Sequence, residues 1–238
     1  MKFHLLTIFP EFFRGPFEHG VVSRAAKSGI LEIAIHDLRK WTADRHKTVD
    51  DRPFGGCEGM LMKAEPIFLA AEEILPERKP GQKIILLSAQ GKLFDQAVAR
   101  RLAAEQELLL ICGRYEGVDE RVAEHLADEE LSIGDFVLSG GELAAALVVD
   151  TVARLLPGVL GNEASSVQES FSTESGQLDC PQYTRPAEFR GWQVPEVLLG
   201  GNHEAVRRWR LHAAIEKTAR NRPDLLSRAP RPDRKSVV

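Results

Sequence analysis

Two glycine-bounded turns carry the residue types best suited to bind a polar ligand. Residues 132–143 read SIGDFVLSGGEL, and residues 113–117 read GRYEG, which adds an aromatic ring and a carboxylate. Glycine permits a positive φ or removes a Cβ that would keep a ligand away. Either turn alone would equally suit an ordinary connection in an α/β domain. Two such turns at the ends of neighbouring strands favour a ligand site, because open α/β sheets bind ligands where strand ends converge.

A third loop, residues 50–62, has the sequence DDRPFGGCEGMLM. It is too rich in glycine for a helix and too polar for a core strand. Asp50 and Arg52, beside Pro53, suit a polar substrate and are the candidate substrate-binding residues of this loop. The alternative is that the glycines only permit a tight surface excursion.

The elements that must hold these loops alternate between strand and helix. The pattern predicts strands over residues 2–8, 31–38, 83–88 and 108–112, and helices over residues 11–28, 94–104, 118–126 and 142–156. Such alternation predicts an α/β domain with a mostly parallel sheet.

The apolar periodicity stops after Pro157 and Gly158 and does not return until about Leu178. We therefore predict a domain over residues 1–160, a flexible linker over 161–177 and a small domain over 178–238.

A helix is predicted in the small domain over residues 204–220. Its predicted apolar stripe consists of Leu211, Ala214, Ile215 and Thr218. Arg207 and Arg210 fall on another face of the helix. This face could bind a phosphate backbone, or it could be exposed to solvent without a binding role. Trp209 is either a core residue or a surface for base stacking.

Charge is distributed unevenly along the 238 residues, whose formal net charge is −4. Residues 203–238 contain ten Lys or Arg and four Asp or Glu, a net of +6, which leaves −10 on residues 1–202. An acidic body with a basic appendage suggests a partner that carries phosphate. The alternative is a solvated helix followed by a disordered basic tail.

The composition also limits the cellular setting. No apolar run approaches the roughly 20 residues that span a bilayer, and the chain starts as a strand rather than a signal peptide, so we expect a cytoplasmic protein without a membrane segment. Cys57, Cys112 and Cys180 are too far apart to indicate a disulfide framework or a zinc knuckle.

Several common catalytic motifs are absent from the sequence. It contains no Walker loop, GxGxxG fingerprint, HExxH, CxxC or GxSxG. These absences weaken the NTPase, nicotinamide-dependent, zinc-hydrolase and α/β-hydrolase interpretations.

Four motifs occur in an order that is similar to one enzyme family. They are DDRPFGG at 50–56, ICGRYEGVDER at 111–121, the 132–143 turn, and LDCPQYTRP at 178–186. Together they closely resemble the bacterial tRNA (guanine-N1)-methyltransferases, which modify the guanosine immediately 3′ of the anticodon. The resemblance runs from Phe3 to about Leu226.

The resemblance implies a SPOUT-type parallel sheet with a deep trefoil knot and a small, mainly helical C-terminal domain. It also implies a homodimer with the active site at the subunit interface, and S-adenosylmethionine bound in the knot. By motif position, it assigns cofactor binding to three loops: Leu86, Leu87 and Ser88; Gly113, Tyr115 and Glu116; and Ser132, Ile133, Gly134, Asp135, Phe136, Val137, Leu138, Gly140 and Gly141.

Methylation of guanine N1 needs a base near N1 and a cation near O6. The resemblance places these roles on Glu169 and Arg154. The family's usual linker residue before Ser-Phe is aspartate, so Glu169 keeps the carboxylate with one extra methylene. Mg²⁺ is implied for activity, and the sequence assigns it no site.

These expectations combine into one hypothesis. One subunit supplies the cofactor cradle, and the linker and basic C-terminal domain of its partner close over the tRNA. The predicted product is 1-methylguanosine at position 37. An alternative interpretation is a non-catalytic RNA-binding or assembly factor, because the usual aspartate is replaced by Glu169. A small-molecule methyltransferase is another, which the basic C-terminal helix disfavours.

Overall fold

The computed structural model describes residues 1–56, 58–161, 169–172 and 176–226. The chain divides into two compact units, Met1–Gly161 and Asn162–Val238. Within the described residues, no helix has the length and apolar character needed to cross a membrane.

The first unit is built on a five-stranded parallel sheet, which confirms the α/β prediction. Its order is β2-β1-β6-β5-β7, and β3 pairs with β4 separately in an antiparallel hairpin. The strands of this unit are β1 (Lys2–Thr7), β2 (Glu32–Asp37), β3 (Asp50–Asp51), β4 (Leu61–Met62), β5 (Gln82–Leu93), β6 (Glu107–Cys112) and β7 (Glu129–Ser132).

Five α-helices cover the two faces of this sheet. Alternate residues of β6 explain how, since Leu108 and Leu110 pack into one apolar cluster while Leu109 and Ile111 pack into another. A central strand buried on both faces reads as a continuous apolar run. The first cluster includes residues of α1, α3 and α5, and the second includes residues of α2 and α4. The helices are α1 (Gly20–Lys27), α2 (Ala64–Ile74), α3 (Gln96–Ala103), α4 (Glu120–His125) and α5 (Glu142–Ala153).

Side-chain caps fix where two of these helices start. Asp95 accepts a hydrogen bond from the Val98 amide at 2.9 Å, and Asp119 accepts one from the Arg121 amide at 3.1 Å. These caps satisfy amides that the first helical turn leaves without partners. The predicted helices over 94–104, 118–126 and 142–156 are confirmed, each with slightly shorter limits.

Two of the predicted elements differ from the structure. The helix predicted over 11–28 is wrong: a 3-10 helix spans Pro10–Phe13, and α1 starts only at Gly20. Gly15 has a φ of +92° and precedes a proline, which disfavours helical backbone. The strand predicted over 83–88 continues to Leu93, because β5 pairs with β7 a second time after a register shift. β7 and α2 were not among the predicted elements.

The described residues of the second unit form a short hairpin, two 3-10 helices and one long helix. Strands β8 (Glu188–Phe189) and β9 (Trp192–Gln193) are antiparallel, and α6 (His203–Asn221) follows a 3-10 helix at Glu196–Leu198. The helix predicted over 204–220 is therefore confirmed. Asn202 caps it by accepting a hydrogen bond from the Ala205 amide at 3.0 Å.

The apolar stripe predicted on α6 is partly wrong. Thr218 is buried, but Leu211 is 60% exposed and Ile215 is 47% exposed. Ala213 is buried instead. Thr218 is held by polar contacts, since its hydroxyl donates to the Ala214 carbonyl at 2.7 Å and accepts from the Leu178 amide at 3.1 Å.

Parts of three expectations fall outside the described residues. Residues 162–168 and 173–175 of the predicted linker, the tail from residue 227, and Cys57 are not described. Cys112 and Cys180 are buried free thiols.

Candidate active site

Residues 86–90 of β5, where its pairing with β7 shifts register, and the turns that follow β6 and β7 line one cavity of about 340 Å³. The three strands are parallel neighbours, so their carboxyl ends meet at the same edge of the sheet. All the residues predicted to bind the cofactor line this cavity except Asp135, which is exposed on the same loop. The structure therefore brings the two glycine turns and residues 86–88 of β5 together.

The 132–141 loop crosses the sheet edge to reach the turn after β6. β5 lies between β7 and β6, yet the Gly141 amide donates to the Gly113 carbonyl at 2.9 Å and Arg114 pairs with Gly140. A Cβ on Gly141 would lie 2.7 Å from the Cys112 Cα and 3.0 Å from the Gly113 nitrogen. Glycine at 141 is thus what allows the two loops to touch.

A buried ion pair fixes this contact and was missed by the sequence reasoning. Glu142 is only 1% exposed. Its carboxylate accepts from the Thr7 hydroxyl at 2.7 Å and from the Arg114 Nε at 3.0 Å. Arg114 Nη1 also donates to the Ser139 carbonyl at 2.9 Å. The charge buried at Glu142 is therefore fully partnered, as a buried carboxylate requires.

Arg114 also leaves no room for a side chain at Gly140, where a Cβ would overlap the guanidinium. The same guanidinium lies 4.6 Å from the centroid of the Phe9 ring, a cation–π distance. Arg114 and Glu142 are both visible in the sequence as charged residues in or beside the glycine turns. Their pairing could not be predicted, because it depends on the 132–141 loop crossing to the turn after β6.

The loop predicted to bind substrate packs against the GRYEG turn. The Glu116 amide donates to the Met60 carbonyl and the Met62 amide to the Gly117 carbonyl, both at 3.0 Å. Leu61 reaches the cavity. These contacts place the 50–62 loop at the rim of the cavity.

Asp50 and Tyr115 form the electrostatic link between this loop and the cavity. Tyr115 has a φ of +60° and lines the cavity. Burial raises the pKa of its hydroxyl, and the negative charge of Asp50 raises it further. The phenol therefore stays neutral and keeps its proton available for a hydrogen bond. Arg52 is exposed, with its backbone amide bonded to Asp51 at 2.7 Å.

The remaining predicted site residues lie in different parts of the chain. Arg154 is half-buried at the C-terminal cap of α5 in the first unit. Glu169 belongs to the second unit, where its carbonyl accepts from the Ser172 amide at 3.0 Å. Arg207 lies 3.5 Å from Glu204 on the exposed face of α6, whereas Arg210 lines a separate cavity in the second unit.

The described residues contain no cluster of three or more His, Cys, Asp or Glu that would hold a metal ion. Glu116 is exposed and lines the main cavity. A metal there would have to take most of its ligands from water or from bound molecules.

A parallel α/β domain with glycine turns gathered around a cavity at its strand ends is a small-molecule-binding enzyme fold. The family model described as tRNA (guanine-1)-methyltransferase TrmD matches residues 1–228. The chain belongs to this family.

Curated relatives are similar along nearly their whole length, and each is named tRNA (guanine-N(1)-)-methyltransferase. The relative from Koribacter versatilis is 58% identical over 96% of this chain and 93% of its own. The relative from Geobacter metallireducens is 53% identical, covering 96% and 92%. The relative from Moorella thermoacetica is 52% identical, covering 96% and 91%.

Proposed function

We propose that this protein transfers a methyl group from S-adenosylmethionine to N1 of the guanosine at position 37 of tRNA, forming 1-methylguanosine. The observation that carries the proposal is the cavity of about 340 Å³, formed by two glycine turns and part of β5, in a chain whose residues 1–228 match the family. The names of the relatives agree with this reaction.

The cavity residues fit the methyl donor. Gly140 and Gly141 line the cavity without side chains, so backbone N–H and C=O groups are accessible there and can read the edge of an adenine. Ile133 and Leu138 supply apolar surface that excludes water. When bound, S-adenosylmethionine supplies an electrophilic methyl group.

Two side chains of this chain complete the proposed chemistry. The Glu169 carboxylate accepts the N1 proton of the guanine, which turns N1 into a nucleophile. The Arg154 guanidinium stabilises the negative charge that then develops at O6. Glutamate retains the basic group of the family's usual aspartate, and its longer side chain requires the linker backbone to lie slightly further from the base.

We propose that the first unit is a SPOUT-type trefoil knot. The crossing of the 132–141 loop past the end of β5 to reach β6 supports this assignment. The proposed domain limits are 1–160 for the knotted domain, 161–177 for the linker and 178–238 for the tRNA-binding domain.

A homodimer is proposed because apolar side chains are exposed around the crossing loop and along α5. Val137 is 89% exposed, Phe136 55% and Leu143 54%. Large apolar side chains exposed in neighbouring segments suit a protein interface. In the proposed dimer, the partner's linker and C-terminal domain contribute to the active site.

Magnesium dependence is proposed with Glu116 as a contributing carboxylate. The described residues form no all-protein metal site, which agrees with the preference of Mg²⁺ for one or two carboxylates together with water and substrate oxygens. A cytoplasmic location is proposed because tRNA is the substrate.

Calorimetry with S-adenosylmethionine, followed by methyl transfer to anticodon-stem transcripts, tests the reaction. Binding together with formation of 1-methylguanosine is the expected result. Absence of cofactor binding would instead favour a non-catalytic RNA-binding protein.

A further inference from the structure

A second cavity, of about 250 Å³, lies entirely within the second unit. Its walls include Val206 and Leu198, which are apolar, and Tyr183 and Trp209, whose ring centroids are 6.3 Å apart at an angle of 51°. Its volume falls just below the roughly 300–1,000 Å³ of typical small-molecule sites, so it suits a ligand group no larger than a single ring system.

The aromatic rings offer a stacking surface at this cavity. Tyr183 is 50% exposed, and Trp209 is half-buried on α6, so its position is fixed by packing. Every nucleobase has a π face, and stacking on such side chains contributes to binding of unpaired bases.

Two guanidinium groups add positive charge beside the rings. Arg185 and Arg210 both line the cavity, and neither forms an ion pair with a carboxylate among the residues described. On the same helix, Arg207 and Arg208 each lie within 4 Å of Glu204. At this cavity, positive charge without a carboxylate partner among the described residues meets aromatic surface. A planar guanidinium matches the geometry of a phosphate.

We propose that this cavity binds one unstacked nucleotide of the tRNA, other than the guanosine that receives the methyl group. The base lies against Tyr183 and Trp209, and its phosphate is held by Arg185 and Arg210. The proposal rests on tRNA being the substrate, as proposed above. It gives the second unit a specific role in recognising the tRNA, in addition to its general basic charge.

The test pairs protein variants with tRNAs that each lack one base. Single abasic nucleotides are placed in turn at each unpaired position other than 37, and the affinity of the full-length protein is measured by fluorescence anisotropy at fixed salt. Tyr183→Leu removes the ring, and Tyr183→Phe retains it. Arg185→Gln removes one cation from the cavity, and Arg222→Gln, which removes an arginine paired with Asp224 outside it, is the charge control.

One abasic position is expected to weaken binding to the wild-type protein by about 5- to 150-fold, and to weaken binding to Tyr183→Leu by a smaller factor because Trp209 remains. Tyr183→Phe should behave like the wild type. Arg185→Gln should weaken binding of every tRNA and reduce the salt dependence by about one phosphate contact, whereas Arg222→Gln should not.

For each abasic tRNA, the loss of affinity relative to the intact tRNA is compared between Tyr183→Leu and the wild type. The proposal is overturned if this loss is the same in both proteins at every position. It is also overturned if Tyr183→Leu alters self-association without altering tRNA affinity, since the cavity would then hold a second copy of the chain. Each variant lies in the second unit, so its fold is checked by circular dichroism and thermal melting against the wild type, while unchanged S-adenosylmethionine affinity shows that the first unit is intact. If the wild type forms no 1-methylguanosine while the abasic effect persists, only the proposed reaction fails.

Discussion

Replacing Gly141 by alanine tests whether close contact between two loops creates the cavity that we propose binds S-adenosylmethionine. The added Cβ would lie 2.7 Å from the Cys112 Cα, whereas carbon atoms in contact are separated by about 3.5–4.0 Å. The two nearest atoms, the Cys112 Cα and the Gly113 nitrogen, both belong to the backbone. The two loops must therefore separate by about 1 Å to reach an ordinary contact distance. Gly141 has no positive φ, and the change therefore tests space rather than backbone strain.

The cost follows from this overlap. Overpacking of this kind costs about 1–3 kcal/mol. If the loops separate in order to relieve it, the affinity for S-adenosylmethionine falls by about 5- to 150-fold. The 2.9 Å hydrogen bond from the Gly141 amide to the Gly113 carbonyl weakens at the same time.

Calorimetry measures the affinity, and thermal melting measures the stability. Each kcal/mol of destabilisation lowers the melting temperature by about 2–4 °C in a chain of this size. Gly161→Ala is the matched control, because a Cβ there would have nothing within 4 Å. Wild-type affinity and melting temperature in Gly141→Ala would refute the loop-contact account of the cavity.

Two further predictions concern buried polar groups. Arg114→Ala leaves the Glu142 carboxylate buried without its cation and should lower the free energy of unfolding by about 3–5 kcal/mol, which urea denaturation measures. Adding Glu142→Gln removes the unpaired charge and should restore part of this free energy. No recovery in the double variant would contradict the prediction. The pKa of His36 is lowered from 6.5 to about 4, mainly by burial and secondly by the charge of His4. Between these two pH values the unfolded chain binds more protons than the folded chain. The free energy of unfolding therefore falls as the pH drops from 6.5 to about 4. Solvent screening at this half-buried ring limits the loss to about 1–2 kcal/mol. His36→Gln should flatten the pH dependence of the melting temperature, and an unchanged slope would contradict the assignment.

The sequence predicted the framework of the site because the relevant signals were local. The apolar run of β6 predicts a strand, and the glycines of the 113–117 and 132–143 turns predict two loops that the structure places around the main cavity. The parallel sheet then explains why those loops meet at one edge.

The ion pair between Arg114 and Glu142 lacked such a signal, because it exists only after one loop crosses β5 to reach another. β7 was also missed, since two of its four residues, Glu129 and Glu130, are charged and only pairing with β5 makes them a strand. The helix predicted over 11–28 failed because its apolar residues outweighed Gly15 and Pro16. On α6, the burial of Thr218 rather than Leu211 depends on tertiary hydrogen bonds.

Mass spectrometry of digested tRNA detects 1-methylguanosine at position 37 and is the most direct test of the proposed reaction, in which Glu169 is the base. The wild type should form 1-methylguanosine at position 37 and leave a transcript with adenosine there unmethylated. Loss of a general base typically slows a reaction by about 10²- to 10⁴-fold, so Glu169→Ala should be slowed to that extent while still binding S-adenosylmethionine. Glu169→Asp should remain active. Equal methylation of the adenosine transcript, or normal turnover by Glu169→Ala, would contradict the account.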